Sequence, residues 1–377
     1  MIFFYCSLAI SITTIALTIY LFIGLKKIKR VSIQPNIKEQ PSVAIIIAVR
    51  NEEEELEKAL QSVCNIDYNN YRIIVVNDRS TDRTAEILEK FKISFPKINV
   101  ITITALPDGW LGKNNALYQG YLNSQEEWML FTDADVLFHK DTLSKTLSYA
   151  VTNRLDHLAV LPEVVSPSPV LNSILATFTL MLMLHLRPWD AKKPNSKGFI
   201  GIGAFNLVRR DAYEKAGTHA RIRLRPDDDL QLGFNIKSAG LRQDVLSGKG
   251  YLSLDWYKNL KQFSNGLLKN SFAVANYNPL ESFANVTLML ISAALPIPVM
   301  FIFGSTDIRL MACVVLLFYL LYMIVIPPNK WWYALMIPFA GFVMAYVTLR
   351  ATLVTLKQGG IYWRDSFYSL TMLKGNG

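Results

Sequence analysis

The sequence predicts an α/β protein: a doubly wound mixed sheet covered by helices on both faces, held to a membrane by apolar helices at its two ends. Three observations carry this. Residues 42–160 alternate short β-branched apolar runs with amphipathic stretches, the pattern of a sheet whose crossover helices cover both faces. Residues 2–25 and 284–350 are long apolar blocks. Acidic residues gather where the strands end, which is where open α/β sheets bind ligands.

The first block, Ile2 to Leu25, is long enough to span a bilayer of about 30 Å with some tilt. It is followed at once by "KKIKR", Lys26 to Arg30. A cleaved leader carries its charge before the apolar run and small residues after it. Neither is present, so residues 1–27 are expected to stay as an anchor. The positive-inside rule then places residues 28–282 in the cytoplasm, at a cell inner membrane.

"VAIIIAV" (Val43 to Val49) reads as a buried parallel strand. "NEEEELEKALQSV" puts Leu56, Leu60 and Val63 near helical spacing, with acids in the first turn as the helix dipole favours. "YRIIVVN" (Tyr71 to Asn77) is a second strand, and "RSTDRTAEILEKF" a second helix with Ser80 or Thr81 as N-cap and Asp82 in its first turn. "INVITI", "KNNALYQGYLNS" and "EWMLFTD" complete a β-α-β-α-β-α-β order.

Further on, "VLNSILATFTLMLMLHLRPW" (Val170 to Trp189) is apolar for only about 17 residues and ends in His185, Arg187 and Trp189, marginal against the ~20 a span needs. It reads as an interfacial helix with Arg187 and Trp189 at headgroup level, or as a buried core helix. "WYKNLKQFSNGLLKNSFA" reads as a basic amphipathic helix for an anionic membrane surface. Trp256, Leu260, Phe263, Leu267 and Leu268 fall on one face, with Lys258, Lys261 and Lys269 elsewhere.

The membrane block assigned to 283–350 breaks at "GSTDIR" (Gly304 to Arg309) and "PPNK" (Pro327 to Lys330), giving three segments. Three crossings from the cytoplasm would leave the tail, 351–377, outside. Yet Arg350, Lys357, Arg364 and Lys374 favour the inside. One segment is therefore expected to be re-entrant or interfacial, and the first, broken by Pro296 and Pro298, is the candidate.

Composition removes some classes. Cys6, Cys64 and Cys313 are scattered without disulfide or metal spacing, and none of the four histidines is paired at helical spacing. That argues against a zinc site, and His139 and His157 read as structural or surface residues. Much of the net charge of +9 flanks apolar segments, where anionic lipid headgroups account for it better than nucleic acid does.

The acidic positions suggest chemistry. Asp133 and Asp135, in "FTDADV", offer hard oxygen ligands for magnesium or manganese held jointly with a diphosphate; an acidic surface turn is the plainer reading. Asp78, in "VVNDRSTD", suits the hydroxyls of a nucleotide or the cap of the next helix. Lys113 follows a glycine at a helix start, where unsatisfied N–H groups favour anions. In "RPDDDLQLG" one of three consecutive aspartates, placed in a cleft, would have a raised pKa and could act as a general base; helix capping is the alternative.

Taken together, "VAIIIAVRNEEEELEKALQSV", "IIVVNDRSTDRTAEIL", "GKNNAL", "FTDADV" and "DDDLQLG" resemble, in order and spacing over 42–240, the motifs of the family 2 glycosyltransferases, the inverting GT-A enzymes. The resemblance implies a GT-A fold, a nucleotide-sugar donor (a UDP-sugar by preference), a divalent cation, and single displacement with a carboxylate as base. Matched position by position, Ala48, Arg50, Glu52 and Asp78 would line the nucleotide with Lys113. Asp135 would hold the metal and Asp133 would lie near the ribose or sugar. Asp229 matches the base, with Asp228 in the preceding acidic position, and Gly203, Asn206 and Arg209 fall beside the sugar and acceptor. The tail "GGIYWRDSFYSL" matches a segment that closes over the site.

The Gln-x-x-Arg-Trp motif of processive synthases is missing; Asp255 to Asn270 stands in its place. The resemblance is therefore to the members that glycosylate carotenoids, hopanoids and similar membrane lipids. Three alternatives stay open: a polyprenyl-phosphate acceptor, a non-catalytic scaffold on the same fold, and a nucleotidyltransferase. The last is disfavoured because "RNEEEE" follows the first strand where a Gly-rich phosphate loop would be needed.

Overall fold

The computed structural model describes residues 1–325, 330–363 and 366–374. Helix α1 (Ile2–Lys27) leads through strand β1 (Lys29–Arg30) into the alternating region: β2 (Val43–Val49), α2 (Leu56–Cys64), β3 (Tyr71–Asp78), α3 (Thr84–Ser94) and β4 (Ile98–Ile103). There follow α4 (Gly112–Leu122), β5 (Trp128–Thr132), β6 (Leu137–Phe138), α5 (Thr142–Thr152), β7 (His157–Leu161), β8 (Glu163–Val165) and α6 (Pro169–Leu186). The second half of the domain holds β9 (Asn206–Arg209), α7 (Arg210–Lys215), α8 (Asp228–Ser238), β10 (Gln243–Ser247), β11 (Leu252–Asp255), α9 (Leu260–Gly266) and α10 (Leu268–Ser271).

The main sheet has eight strands in the order β1-β10-β7-β9-β5-β2-β3-β4. All neighbours are parallel except β9, which runs against both β5 and β7. Alternate side chains of the central strands feed two cores. Ile45 and Ile47 pack with Leu56, Leu60 and Leu88 on one face; Ile46, Ile74 and Val76 pack with Ala116 and Leu117 on the other. Each such side chain contributes roughly 1.5–3 kcal/mol by leaving water. The strand order reverses between β2 and β5, and that crevice is the ligand position of a doubly wound sheet.

The chain closes with α11 (Pro279–Met289), a π-helical turn at Leu290–Ala294, α12 (Pro296–Phe303), α13 (Thr306–Val325), α14 (Tyr333–Gln358), a hairpin of β12 (Gly360–Trp363) and β13 (Ser366–Ser369), and α15 (Leu370–Lys374). The break at Pro296 is real: α11 with its π turn and α12 are bent by 52°. The break at "PPNK" and the charge of Arg364 lie outside the described residues. Helix α14 does not stop near residue 350 but continues to Gln358.

Two expectations for surface helices change. Residues Pro169–Asp190, counted with the 3-10 turn after α6, are long and apolar enough to cross a membrane, as are α1, α13 and α14. Trp189, expected at a membrane surface, is 2% exposed and packed inside the protein. It meets Tyr20 edge-on at 5.4 Å and fills the hollow over Gly24, where a Cβ would lie 2.3 Å from the indole. The amphipathic stretch is split into α9 and α10, and its Phe263 and Leu267 are buried against α6 and α14 while Leu260 stays 37% exposed. Its apolar face serves internal packing.

The Trp189–Gly24 contact gives a direct test. Gly24→Leu overfills the hollow, a change that costs about 1–3 kcal/mol in packed interiors. The thermal midpoint of the detergent-solubilised protein should fall by several degrees, whereas Ile23→Leu, at a position 51% exposed, should leave it unchanged.

Candidate active site

The loops after β2 and β3 brace each other. The Asn51 N–H donates to Ser80 Oγ (3.1 Å), the Glu52 N–H to Thr84 Oγ1 (2.9 Å) and the Glu53 N–H to Asp82 Oδ2 (3.2 Å), while the Thr81 N–H returns to Asn51 Oδ1 (2.8 Å). Ser80, expected as a cap, is used across the loops, and Asp82 serves both, accepting the Thr84 N–H on Oδ1 (3.0 Å) as well as the Glu53 N–H. The helices accordingly begin at Leu56 and Thr84, later than the sequence pattern suggests. The bracing holds Asn51 and Arg79 in left-handed conformations, φ 54° and 56°, a strain found mostly at functional loops. Asp78 is buried at the end of β3. Arg79 grips it with Nε at 2.7 Å and Nη2 at 3.0 Å, and Arg50 Nη1 stands 3.6 Å from the same carboxylate.

Lys113, in the first turn of α4, reaches two further carboxylates: its Nζ is 2.8 Å from Asp133 Oδ1 and 3.4 Å from Asp228 Oδ1. Burial alone would lower its pKa, but Asp133, Asp228 and Asp229 together raise it, so it stays charged. The two acidic loops are joined by Gly203. Its carbonyl accepts the Asp133 N–H (3.1 Å) and its N–H donates to Asp229 Oδ2 (2.7 Å). This needs glycine, because a Cβ on Gly203 would lie 2.5 Å from Asp133 Oδ2, and one on Gly201 would fall on the Asp229 carbonyl.

The three consecutive aspartates have three different partners. Asp227 is forked by Arg225, Nε to Oδ1 2.9 Å and Nη2 to Oδ2 2.8 Å. Asp228 faces Lys113. Asp229 takes the Gly203 N–H, and burial, then Asp228, push its carboxyl up to about 7. Asp135 is likewise pushed up to about 7, by burial and then by Asp133.

Ala48, Arg50, Glu52, Asp78, Lys113, Asp133, Asp135, Gly203, Asp228 and Asp229 therefore all line one cavity. Two expected residues do not. Asn206 is buried behind it, where its Oδ1 accepts the Ile202 N–H (3.2 Å) and meets His157 Nε2 (2.9 Å). Arg209 is at the far end of the sheet, opposite Trp128, and paired with Asp156 (3.1 Å) and Asp211 (2.6 Å). The reason is direction. An antiparallel β9 carries the chain away from the site, so three residues past Asn206 move it about 10 Å.

Whether a divalent cation fits can be judged from the donors. Among the described residues, no group of three or more His, Cys, Asp or Glu could hold an ion unaided. Asp133 is already matched by Lys113, which leaves Asp135 as an acid with surplus negative charge around it. One or two carboxylates completed by substrate oxygens and water is a donor set that suits magnesium or manganese, so the residues fit the ion.

Residues 44–217 match the family model described as Glycosyl transferase family 2. The chain carries a family 2 glycosyltransferase domain. A probable glycosyltransferase of Bacillus subtilis, YdaM, is 30% identical over 214 residues, 54% of this chain and 50% of that protein. A 4,4'-diaponeurosporenoate glycosyltransferase of Staphylococcus aureus is 26% identical over 224 residues, 58% of this chain and 57% of that one. The chain thus spans little more than half the length of these curated relatives. Among solved structures, the mannosyltransferase PcManGT of Pyrobaculum calidifontis, in complex with GDP-Man and manganese, superposes with a TM-score of 0.59 at 16% identity, covering 93% of this chain and 97% of that one. At that identity the likeness is one of fold, and the fold is GT-A.

Three residues at or beside this site were not anticipated. Gly201 had a local signal, the Gly-x-Gly of "GIGAF"; Arg225 had one in its spacing from Asp227. Tyr257, stacked on Trp256 at 5.0 Å and close enough to Asp135 for that charge, after burial, to raise its pKa, had none. The hairpin of β12 and β13, in the tail expected to close over the site, brings Trp363 and Tyr368 to the cavity wall.

The ion cluster predicts a pH-dependent stability. Lys113→Met strips the buried Asp228 of its cation, and removing one partner of a buried pair costs about 3–5 kcal/mol. The cost grows as Asp229, whose carboxyl is pushed up to about 7 within the field of Lys113, ionises. In chelator-containing buffer, the gap in thermal midpoint between wild type and variant should be widest near pH 8 and shrink toward pH 5. A gap that does not change with pH would contradict the ion-pair account.

Proposed function

We propose that this chain transfers a single sugar from a nucleotide-diphosphate sugar, a UDP-sugar by preference, to an oxygen of a membrane lipid with inversion at the sugar carbon. The observation that supports this best is that Asp133, Asp135, Asp228 and Asp229 share one cavity with apolar residues of α1 and α6. A polar reaction centre and an apolar approach are thus continuous. The carotenoid-acid acceptor in the name of the Staphylococcus relative and the manganese of the Pyrobaculum structure are consistent with it.

In this reading, Asp78 receives nucleotide hydroxyls, with Ala48, Arg50 and Glu52 beside it. Lys113, at a helix N-terminus, attracts the diphosphate. Asp133 lies toward the ribose or sugar. Asp135 would hold magnesium or manganese, which when bound neutralises the leaving diphosphate. Asp229 keeps one oxygen on the Gly203 N–H and offers the other to the acceptor. The acceptor oxygen attacks the anomeric carbon, the diphosphate departs from the opposite face, and the acceptor proton passes to Asp229. Asp228, matched by Lys113, stays out of that transfer.

The same reading gives a membrane arrangement. Helices α1 and α13 lie side by side in the same sense, with Phe4 against the cluster of Ile308 and Ala312, and Leu21 with Tyr319, Tyr322 and Met323. If α1 enters the cytoplasm at Lys26–Arg30, then α11–α12 leads out and α13 returns. Tyr333 at the start of α14 joins the cluster of Leu21 and Trp189. At the other end of α14, the hairpin residues Ile361 and Tyr368 pack on Leu111 and Phe272 of the catalytic domain. Both ends of α14 then lie on the cytoplasmic side, so the third segment, rather than the Pro296-broken first, is the interfacial one.

Donor binding and transfer, measured on one set of variants, test the chemistry. Asp135→Ala should lose the manganese-dependent part of nucleotide-sugar binding. Asp229→Asn should bind donor normally but lose about 10²–10⁴-fold in transfer, the usual worth of a positioned base. Because the base works only when deprotonated, wild-type transfer should rise with pH through about 7 and level off above. Unchanged transfer in Asp229→Asn would remove Asp229 from this role. The arrangement in the membrane is tested by single cysteines: Lys330→Cys and Gln358→Cys should both react with an impermeant thiol reagent only from the cytoplasmic side, and Ser305→Cys only from the other. Labelling of the first two from opposite sides would make α14 a crossing helix.

A further inference from the structure

We infer that the N-terminal helix is a wall of the acceptor site as well as an anchor: the acceptor's hydrocarbon tail lies along α1, in a groove closed by α6 and α11, with its polar head at Asp229. This rests on the lipid glycosyltransferase reading and adds to it where the tail goes and how long a tail the site suits.

The cavity that holds the catalytic carboxylates measures about 1880 Å³, well above the roughly 300–1,000 Å³ of an ordinary small-molecule site. A donor alone does not fill it. Helix α1 contributes Ile10, Thr14, Leu17, Leu21 and Leu25, spaced by three or four residues and so on one helical face. From the first to the last of these is about 22 Å at 1.5 Å per residue. Leu21 also packs on α13, and the helix is fixed along α13 by Ser7 and Ser11, both buried. Across the groove stand Leu175 and Leu182 of α6, and Asn285 and Leu288 of α11.

The groove is therefore graded. One end holds Asp135, Lys113 and Asp229, and the other is hydrocarbon with an occasional hydroxyl or amide. That is the shape of an amphiphile whose head reacts. Its length bears on the class of tail. One leaflet of a bilayer is about 15 Å deep, half of the ~30 Å hydrocarbon core, so a groove of this extent suits one long hydrocarbon tail in extended form.

The test uses the full-length protein in phosphatidylcholine nanodiscs with a photoactivatable geranylgeraniol as probe, and records donor binding on the same samples. Label should concentrate on α1 and α6 and be displaced by solanesol. Leu17→Trp, which fills the groove, should cut labelling about tenfold, equivalent to about 1.4 kcal/mol. Ile19→Trp, at a position 47% exposed and off the groove face, should not change it. Label spread over the exposed face of α13 (Leu310, Leu317 and Leu321) and equal in both variants would mean bulk lipid contact and would overturn the groove. If the label stays in the groove while the wild type binds no nucleotide-sugar, the groove stands and the transferase reading falls; intact donor binding with unlocalised label means the reverse.

Discussion

The ammonium group of Lys113 stands 2.8 Å from Asp133 and 3.4 Å from Asp228, inside the field of Asp229 as well, and the gathering of so many acids depends on it. Buried carboxylates repel one another and lose hydration, so a cluster of this kind would protonate or swell without a cation. The backbone around Lys113 is stitched to the loop that brings the acids. The Leu111 N–H donates to the Arg223 carbonyl (2.8 Å), and the Asn114 side chain donates to the carbonyls of Ile222 (2.7 Å) and Arg225 (2.9 Å). One turn of α4 thus supplies both the charge that neutralises the cluster and the hydrogen bonds that aim the aspartate loop at it.

Environment then separates three chemically identical side chains. Asp227 is spent on a buried fork with Arg225, whose remaining contacts, to Asn276 Oδ1 (3.1 Å) and the Ala273 carbonyl (3.1 Å), tie the start of α8 to the segment leading into α11. Asp228 has its carboxyl raised by burial, which the cation of Lys113 opposes. Asp229 has a backbone N–H, a weaker partner than a full charge, and its carboxyl is pushed up to about 7. Acid and base roles arise in this way when neighbours push equivalent groups apart. It also explains why the Gly201–Gly203 backbone must come so close: that N–H replaces a cation and leaves an oxygen of Asp229 free.

Much of the sheet was legible in the residues. The β-branched runs marked β2 and β4 to the residue, because a strand buried on both faces has few other ways to be written. The motifs at the ends of β2, β3 and β5 were legible for the same reason, since the fold itself brings those ends together. What failed was whatever depended on partners distant in sequence. The starts of α2 and α3 were misjudged because Asn51, Ser80 and Thr84 bond across the loops, and Asp82 divides its carboxylate between the loop and the Thr84 N–H. Arg209 was placed at the site because a motif gives order but not strand direction. Trp189 resembled a headgroup anchor until Gly24, 165 positions earlier in the sequence, provided its hollow.

That last contact bears on how the reaction centre meets the membrane. Helix α6 is pinned at its C-terminal end, where Trp189 follows, to α1. Near its N-terminal end, Leu171, Ile174 and Leu175 share a cluster with Phe263, Ala340, Met344 and Val347, and Trp256 stacks on Tyr257 beside Asp135. The same helix therefore touches the anchor, the α14 helix and the aromatic wall of the active site. Rotating α1 would move Trp189, and through the rigid rod of α6 would move the wall beside Asp135. An anchor attached by a flexible linker would have needed none of this. The packing instead makes the position of the acidic site relative to α1 a property of the fold, set by where Trp189 seats on α1.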